Sequence, residues 1–493
     1  MATRIAALAG HVVPRTCAAA PAWPPAAPSH PFAGFDSPTG LEYKSGTSPS
    51  VMGNMEPACQ EIEGSMQLIH GALPAGLEGR FLRNGPNPSL EQWGNTRYHE
   101  FEGDGMIHSV HLQDGQATYA NRFIQTKRKM LQQEKGRPLK QRELMTADGY
   151  LGTGNTNLVY HAKKLMALYE VDKPYVLSLP QLETVGLWTA EGSLSHNVTA
   201  HPKVCPDTEE LIFFGYAFLD PIVRYGVADK SGKLMRSFDI PTRCGKPVMM
   251  HDMAITKNFS ILMEFPLYFE MSRAAKGNMP YVHDVNLPSQ FGILPRHAES
   301  ASDVRWFSAK SAYSFHIVNA WEEGEVIRLV GCPQERFSFE YGESQPSVLY
   351  EWVFDLQAGT TTERQLHDLH IEFPVINPAL TGKQNRYTWA AVFAGPGMPF
   401  HSISGCVKYD LKTGQHIRHD FLGGRWGGES VFAPVGDGED SGFLLTYTYN
   451  PQDKSTELYI VDAKTMDPNP VAILRTPQRV PFGFHGLWVP RED

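Results

Sequence analysis

IVRYGVADKSGKLMRSFDI, residues 222–240, carries in one stretch the pattern that decides the fold. Apolar side chains alternate along its first half (Val223, Tyr225, Val227), the segment from Asp229 to Gly232 makes a turn, and a second strand-like run follows. Period-two alternation marks a half-buried strand, and Asp, Ser and Gly supply the connection. The same figure returns as MIHSVHLQDGQATYANRFI from Met106, KLMALYEVDKPYVLSL from Lys164 and, more weakly, MPYVHDVNLPSQFGIL from Met279. It returns again as VLYEWVFDLQAGTTTERQL from Val348, GCVKYDLKTGQHIRHDF from Gly405 and ELYIVDAKTMDPNPVAIL from Glu457. Seven such hairpins, at intervals of roughly 45 to 75 residues, predict an all-β chain built as a seven-bladed propeller, with long loops on some blades. A row of unrelated hairpins in a large sandwich is the competing arrangement, and it has no reason to recur over most of the chain.

The bulk composition narrows the field around that pattern. An apolar share of 42% with 20% charged residues excludes wholesale disorder. A net charge of -9 opposes non-specific nucleic-acid binding, which needs a basic face. Six cysteines (Cys17, Cys59, Cys205, Cys244, Cys332, Cys406) stand apart with no Cys-x-x-Cys, so they read as reduced thiols rather than a disulfide framework or a thiolate metal site. No apolar run is long enough to cross a membrane as a helix. Monotopic contact stays open, and Phe265, Leu267, Tyr268 and Phe269 form either a docking patch at a tunnel mouth or a core strand.

The first residues, MATRIAALAGHVVPRTCAAAPAWPPAAPSHPFAGF, carry Arg4 and Arg15, many Ala and Pro, and no acid before Asp36. That composition fits an organelle transit peptide or an unstructured tail. Residues 1–50 are therefore set apart, and 51–493 are read as a single propeller domain.

Among 19 histidines, four lie in strand-like apolar surroundings: His201 in SHNVTAHPKV, His251 in PVMMHDMAIT, His316 in AYSFHIVNAWEE and His485 in RVPFGFHGLWVP. Their separations would place them on four different blades, converging near the axis. A buried neutral imidazole needs hydrogen-bond partners, or it turns one nitrogen to a metal. Imidazole suits Zn, Cu, Fe and Ni alike, so the residues alone leave both the role and the metal open. Three acids, Glu170, Glu372 and Glu429, lie in buried-looking runs; Ile371, Phe373, Val431 and Phe432 flank the last two.

At these residues the sequence resembles the carotenoid cleavage oxygenase family. The likeness runs from Gly76 to Pro490 through GLEGRFLRNGPNP, GDGMIHSV, NTNLVYHAKKLMALYE, TAHPKV, MMHDMAIT, FHIVNAWEE, EFPVIN, GGES with VFAP, and VPFGFHGLW, in order. It implies a seven-bladed propeller with loops and short helices capping one face over an axial Fe(II). It implies His201, His251, His316 and His485 as the iron ligands, one ion per chain. It further implies Glu170, Glu372 and Glu429 as the acids that orient His251, His316 and His485, and Thr156 as a residue whose methyl crowds a vacant iron position. Thr156 reads equally as an ordinary strand residue.

The implied reaction is oxidative splitting of a conjugated double bond by O2 into two carbonyl products, with tunnel shape choosing the bond. VDKPYVLSL, PSQFGILPRH and RVPFGFHGLWVP resemble plant and algal members, which commonly cut carotenoids or apocarotenoids at the 9,10 position. The N-terminal segment is read as a plastid address, with a cytoplasmic protein as the alternative, and the chain as a monomer. Two features complicate the substrate. Glu100 and Glu102 stand where many relatives carry an aromatic residue and an Asp. HNVTAHPKV and TKRKM also resemble stilbene-cleaving relatives, where Tyr98 with Lys127 or Lys129 would grip a phenol, although a surface basic cluster is the simpler reading of the lysines.

Overall fold

In the stretch that opens the fold, Ile222–Ala228 pairs antiparallel with Leu234–Pro241 on one side and with the wholly buried Leu211–Tyr216 on the other. Gly226 lies opposite Phe213, and a Cβ there would come within 2.5 Å of the ring, so a side chain is excluded by packing. A short strand, Lys203–Val204, completes a four-stranded sheet whose last strand alternates half-buried with exposed residues. The second strand is thus enclosed and the last faces solvent, as in a propeller blade.

The computed structural model describes residues 48–88, 98–147, 149–276, 279–339, 344–394 and 401–491. Among them the strands form seven sheets of four or five strands and two small two-stranded ones. Taking Lys203–Val204 as the first strand of blade III, the first strands of blades IV to VII are Met253–Ile255, Tyr313–Glu323, Ile371–Val375 and Val431–Pro434. Those of blades I and II are Gly486–Pro490 and Asn157–His161. First strands of successive blades meet around the axis, III with IV, IV with V, V with VI, VII with I, and I with II. Large side chains fill the seams. Trp352 and Trp389 are fully buried, and Trp389 Nε1 donates to Ala463 O (3.0 Å), joining blade VI to VII. Each such side chain contributes roughly 1.5–3 kcal/mol by leaving water.

Both ends of the described chain close the ring. Gln67–Gly71 adds the outermost strand to blade VII, while Gly486–Pro490 supplies the first strand of blade I beside Gly79–Asn87. Short helices lie between strands: α1 (Lys127–Lys135), α2 (Gln141–Leu144) and α3 (Met271–Ala274). Thr126 caps α1 by accepting Lys129 N–H (3.1 Å), and Gly136 ends it with φ 60°.

Six of the seven expected hairpins are pairs of neighbouring strands within a blade. The weak one from Met279 is divided. Tyr281–His283 pairs with Leu267–Phe269 in a separate two-stranded sheet, whereas Ser289–Pro295 joins blade IV against Arg305–Ala309. Alternation announces strands but not partners; here the Asp284–Pro288 turn leads from one sheet to another. The suggested docking patch also changes. Phe265, Leu267 and Tyr268 are buried, Phe265 against Phe291, Tyr313 and Trp352, and only Phe269 is half-exposed. The N-terminal segment through residue 47 lies outside the described residues.

Candidate metal centre

The first strands deliver the site. His201 precedes Lys203–Val204, His251 precedes Met253–Ile255, His316 lies within Tyr313–Glu323, and His485 immediately precedes Gly486–Pro490. One ring nitrogen from each lies within 4.8 Å of the others. The Nε2 atoms of His251 and His316 are 3.3 Å apart, and those of His316 and His485 3.1 Å. The remaining three first strands are not idle. Thr156 stands at the head of blade II's, Glu372 lies in blade VI's, and Glu429 comes two residues before blade VII's. Glu170 reaches the site from just beyond the second strand of blade II, Lys164–Leu168.

Three imidazoles are held from behind by carboxylates. Glu170 Oε1 contacts His251 Nδ1, and Tyr216 O–H donates to its other oxygen (2.6 Å). Glu372 Oε2 accepts from His316 Nδ1 (2.5 Å) and from the Phe373 amide. Glu429 accepts from His485 Nδ1 (2.9 Å) and from Gly486 N–H (2.6 Å), while its carbonyl takes a hydrogen bond from the buried Arg83 (2.7 Å). His201 lacks such an acid. Its Nδ1 lies 3.5 Å from Asn157 Nδ2, and its buried Nε2 has no hydrogen-bond partner among the described residues.

This arrangement tests for a cation. A carboxylate at Nδ1 fixes the proton there, leaving Nε2 a bare lone pair. Two such lone pairs facing each other at 3.1–3.3 Å repel unless a positive charge lies between them. Donors about 2.1 Å from one ion and near right angles are about 3 Å apart, so the spacing suits a metal. The residues fit one.

Electrostatics agree for three of the rings. Burial holds His201, His251 and His485 below the ordinary histidine range, so they are neutral donors at pH 7. Burial works the same way on His316, but Glu372 outweighs it and raises that ring, making it the one that takes a second proton most readily. Burial favours protonating Glu429, but His485, Arg83 and the Gly486 amide hold it below the usual carboxylate range.

Glu372 owes its aim to an irregular backbone. The ladder of its strand shifts register between Glu372 and Val375, and Phe373 adopts φ 53°, a costly value for an aromatic residue. The Phe373 ring then lies 5.2 Å from His316 and 5.5 Å from His485.

The surroundings of the remaining expected residues differ from one another. Thr156 O–H donates to Asn155 Oδ1 (3.1 Å), and its carbonyl accepts from His485 N–H (3.3 Å). Lys129 is not part of a surface cluster: it is buried, 3.4 Å from Asp104 and over the Phe123 ring, while Lys127 is exposed. Tyr98 is buried, and its hydroxyl has no hydrogen-bond partner among the described residues. Glu100 accepts from Ser50 Oγ (2.5 Å), and Glu102 is pushed upward by burial despite Arg128. Four residues at the site escaped the sequence reading: Arg83, Thr199, Lys203 and Asp252. Thr199 bridges blades by donating to His251 O (3.0 Å) and accepting from His201 N–H (3.1 Å). Their signal was proximity alone, since each lies within a quoted motif.

The chain matches the family described as retinal pigment epithelial membrane protein over residues 55–490. It is 37% identical to the carotenoid 9,10(9',10')-cleavage dioxygenase of Crocus sativus, covering 90% of this chain and 89% of that one. The chain belongs to the carotenoid oxygenase family. A second carotenoid oxygenase, the carotenoid 9,10(9',10')-cleavage dioxygenase 1 of Arabidopsis thaliana, is 35% identical, covering 90% of each. Among solved carotenoid oxygenase folds, the lignostilbene dioxygenase of Pseudomonas brassicacearum superposes with TM-score 0.81 and 26% identity over 90% of this chain and 99% of that one. The Synechocystis apocarotenoid oxygenase shares the fold at TM-score 0.80.

Proposed function

We propose that the protein is a non-haem Fe(II) dioxygenase that cleaves one double bond of a carotenoid or apocarotenoid with O2, giving two carbonyl products, at the 9,10 position. The observation that carries this reading is the set of four axial imidazoles, three of them fixed by carboxylates, in a carotenoid oxygenase chain. His201, His251, His316 and His485 would hold the ion, and their imidazole nitrogens suit iron as one of the metals that imidazole favours. When bound, ferrous iron would activate O2 toward a closed-shell double bond; the alkene itself provides the electrons that O2 accepts, so the iron is unchanged over the cycle. The protein's part is placement. Glu170, Glu372 and Glu429 fix ring orientation and tautomer and offset the metal's charge, and the Thr156 methyl limits access to one side of the ion.

A row of aromatic rings beside the cluster suits a long apolar polyene. Phe315 meets His251 edge-on at 5.1 Å, and Phe337, Phe339, Phe101 and Phe484 continue from it at 4.7–6.1 Å. Such a surface binds by shape and excludes water, so the bond cut is the one held beside the ion. The curated relatives at 35–37% identity carry the 9,10(9',10') position in their names, which supports the same position here. A stilbene is the second reading, favoured by the unpartnered, buried Tyr98 hydroxyl and the lignostilbene dioxygenase likeness. The decisive measurement loads the protein anaerobically with Fe(II) and offers β-carotene, an apocarotenal and resveratrol. One iron per chain and a C13 ketone from the carotenoid are expected; aromatic aldehydes alone would overturn the carotenoid reading, and no metal uptake would overturn both.

We read the chain from residue 51 as a single domain, because strands from both of its ends join one closed ring, and we take the protein as a monomer. Relatives named chloroplastic support a plastid address for the N-terminal segment. No described helix is long and apolar enough to cross a membrane. Peripheral contact would instead use Met145, Leu219 and Met271, each 54–57% exposed. They are joined beneath by Tyr150, paired with Met145, and by Phe218, whose ring meets Tyr150 at 5.6 Å and Phe269 at 5.8 Å. Changing all three to Glu is expected to abolish binding to liposomes while detergent-solubilised substrate is still cleaved; unchanged sedimentation with vesicles would refute this surface.

A further inference from the structure

The innermost strand of a blade has a free edge toward the axis, and its unpaired N–H groups must find acceptors. Asp252, 3% exposed, sits where three such edges meet. Its Oδ1 accepts from its neighbour Met253 N–H (2.7 Å) and from Lys203 Nζ (2.7 Å), and its Oδ2 accepts from Ile317 N–H (2.9 Å). Lys203 follows His201 by two residues in blade III, Asp252 follows His251 directly in blade IV, and Ile317 follows His316 directly in blade V.

The contact with blade V falls at an irregularity. The ladder between Tyr313–Glu323 and Val326–Gln334 shifts register on both sides of Ile317, so His316 sits on a backbone that sheet pairing alone does not hold. The Asp252 carboxylate supplies the missing restraint from the neighbouring blade. A lone buried carboxylate would be costly, and Lys203, with its side chain 22% exposed, provides the countercharge.

We infer that Asp252, with Lys203 as its counter-ion, is a positioning residue that sets the mutual spacing of His201, His251 and His316. Glu170, Glu372 and Glu429 each aim one ring; Asp252 ties the strands that bear three rings and touches none of them. A carboxylate is needed for this, because it alone offers acceptors on both oxygens. In Asp252→Asn one oxygen still accepts from Lys203 or Met253, but the amide nitrogen that replaces the other cannot accept from Ile317.

The inference rests on the metal reading above, and the test separates the two. Wild type, Asp252→Asn, Lys203→Arg and Lys203→Met are loaded with Co(II), whose ligand-field absorption reports donor geometry. Affinity is measured by competition with a chelator, and the unfolding temperature of the metal-free protein is recorded alongside. Asp252→Asn is expected to bind Co(II) about 10–100-fold more weakly, as when an outer partner of a ligand is lost, with shifted absorption bands. Lys203→Met should shift the bands in the same sense, and Lys203→Arg should restore the wild-type spectrum. Wild-type bands in the two damaging variants, even with lower unfolding temperatures, would reduce the pair to a fold element and overturn the inference. Failure of the wild type itself to bind Co(II) would instead overturn the metal reading. Should Asp252→Asn not fold, the two Lys203 variants decide alone.

Discussion

His316→Ala is expected to leave the protein folded and without measurable double-bond cleavage. His316 is the central ring of the cluster, with its Nε2 3.3 Å from that of His251 and 3.1 Å from that of His485. Removing it takes away a donor and strands Glu372, a 6% exposed carboxylate whose charge it shared. Glu372→Gln is the instructive companion. The glutamine oxygen still accepts from His316 Nδ1, so metal binding should persist but weaken by about 10–100-fold. Metal analysis beside turnover distinguishes the two: His316→Ala should fall well below one ion per chain, and Glu372→Gln should recover stoichiometry when metal is in excess. Wild-type turnover by His316→Ala would remove that residue from the ligand set.

Glu429→Ala is expected to damage stability as much as activity. It deletes the acceptor for His485 Nδ1 and for the Gly486 amide, both buried or nearly so. Each buried donor left unpaired costs about 1–3 kcal/mol, so a total of about 2–5 kcal/mol is expected in the metal-free protein. Arg83 adds to this. Its bond to the Glu429 carbonyl survives the substitution, but the carboxylate whose field offsets its buried charge does not. Glu429→Gln keeps one of the two acceptors and should recover only part of the loss, because its amide nitrogen cannot accept from the second donor. Denaturant unfolding of the metal-free variants measures this directly, and equal unfolding free energies for wild type and Glu429→Ala would refute it.

The fold was legible because blades repeat. Alternating runs such as Ile222–Ala228 declare themselves locally, and seven of them imply a ring. The run from Met279 misled because strand pairing is a long-range choice: Tyr281–His283 has its partner across a loop, at Leu267–Phe269. The histidines were visible as buried-looking imidazoles that a propeller would bring to its axis, yet their role and the metal came only with the resemblance. What the sequence concealed was the role of residues beside the quoted ones. Asp252 looks like any acid next to a histidine until its three donors, two of them from other blades, are placed. Lys129 looked like a surface lysine because TKRKM is basic, but the capped turn of α1 faces it inward to Asp104. Phe373 gives no sign in EFPVIN that its backbone is left-handed.

The closing strand Gly486–Pro490 has a consequence for assembly. His485 stands at its head, and the strand pairs with Gly79–Asn87 from the other side of the chain. The fourth imidazole therefore joins the other three only when these distant segments meet and blade I is completed. Convergence of all four rings is thus a report on closure of the whole circle, and an open circle presents an incomplete donor set.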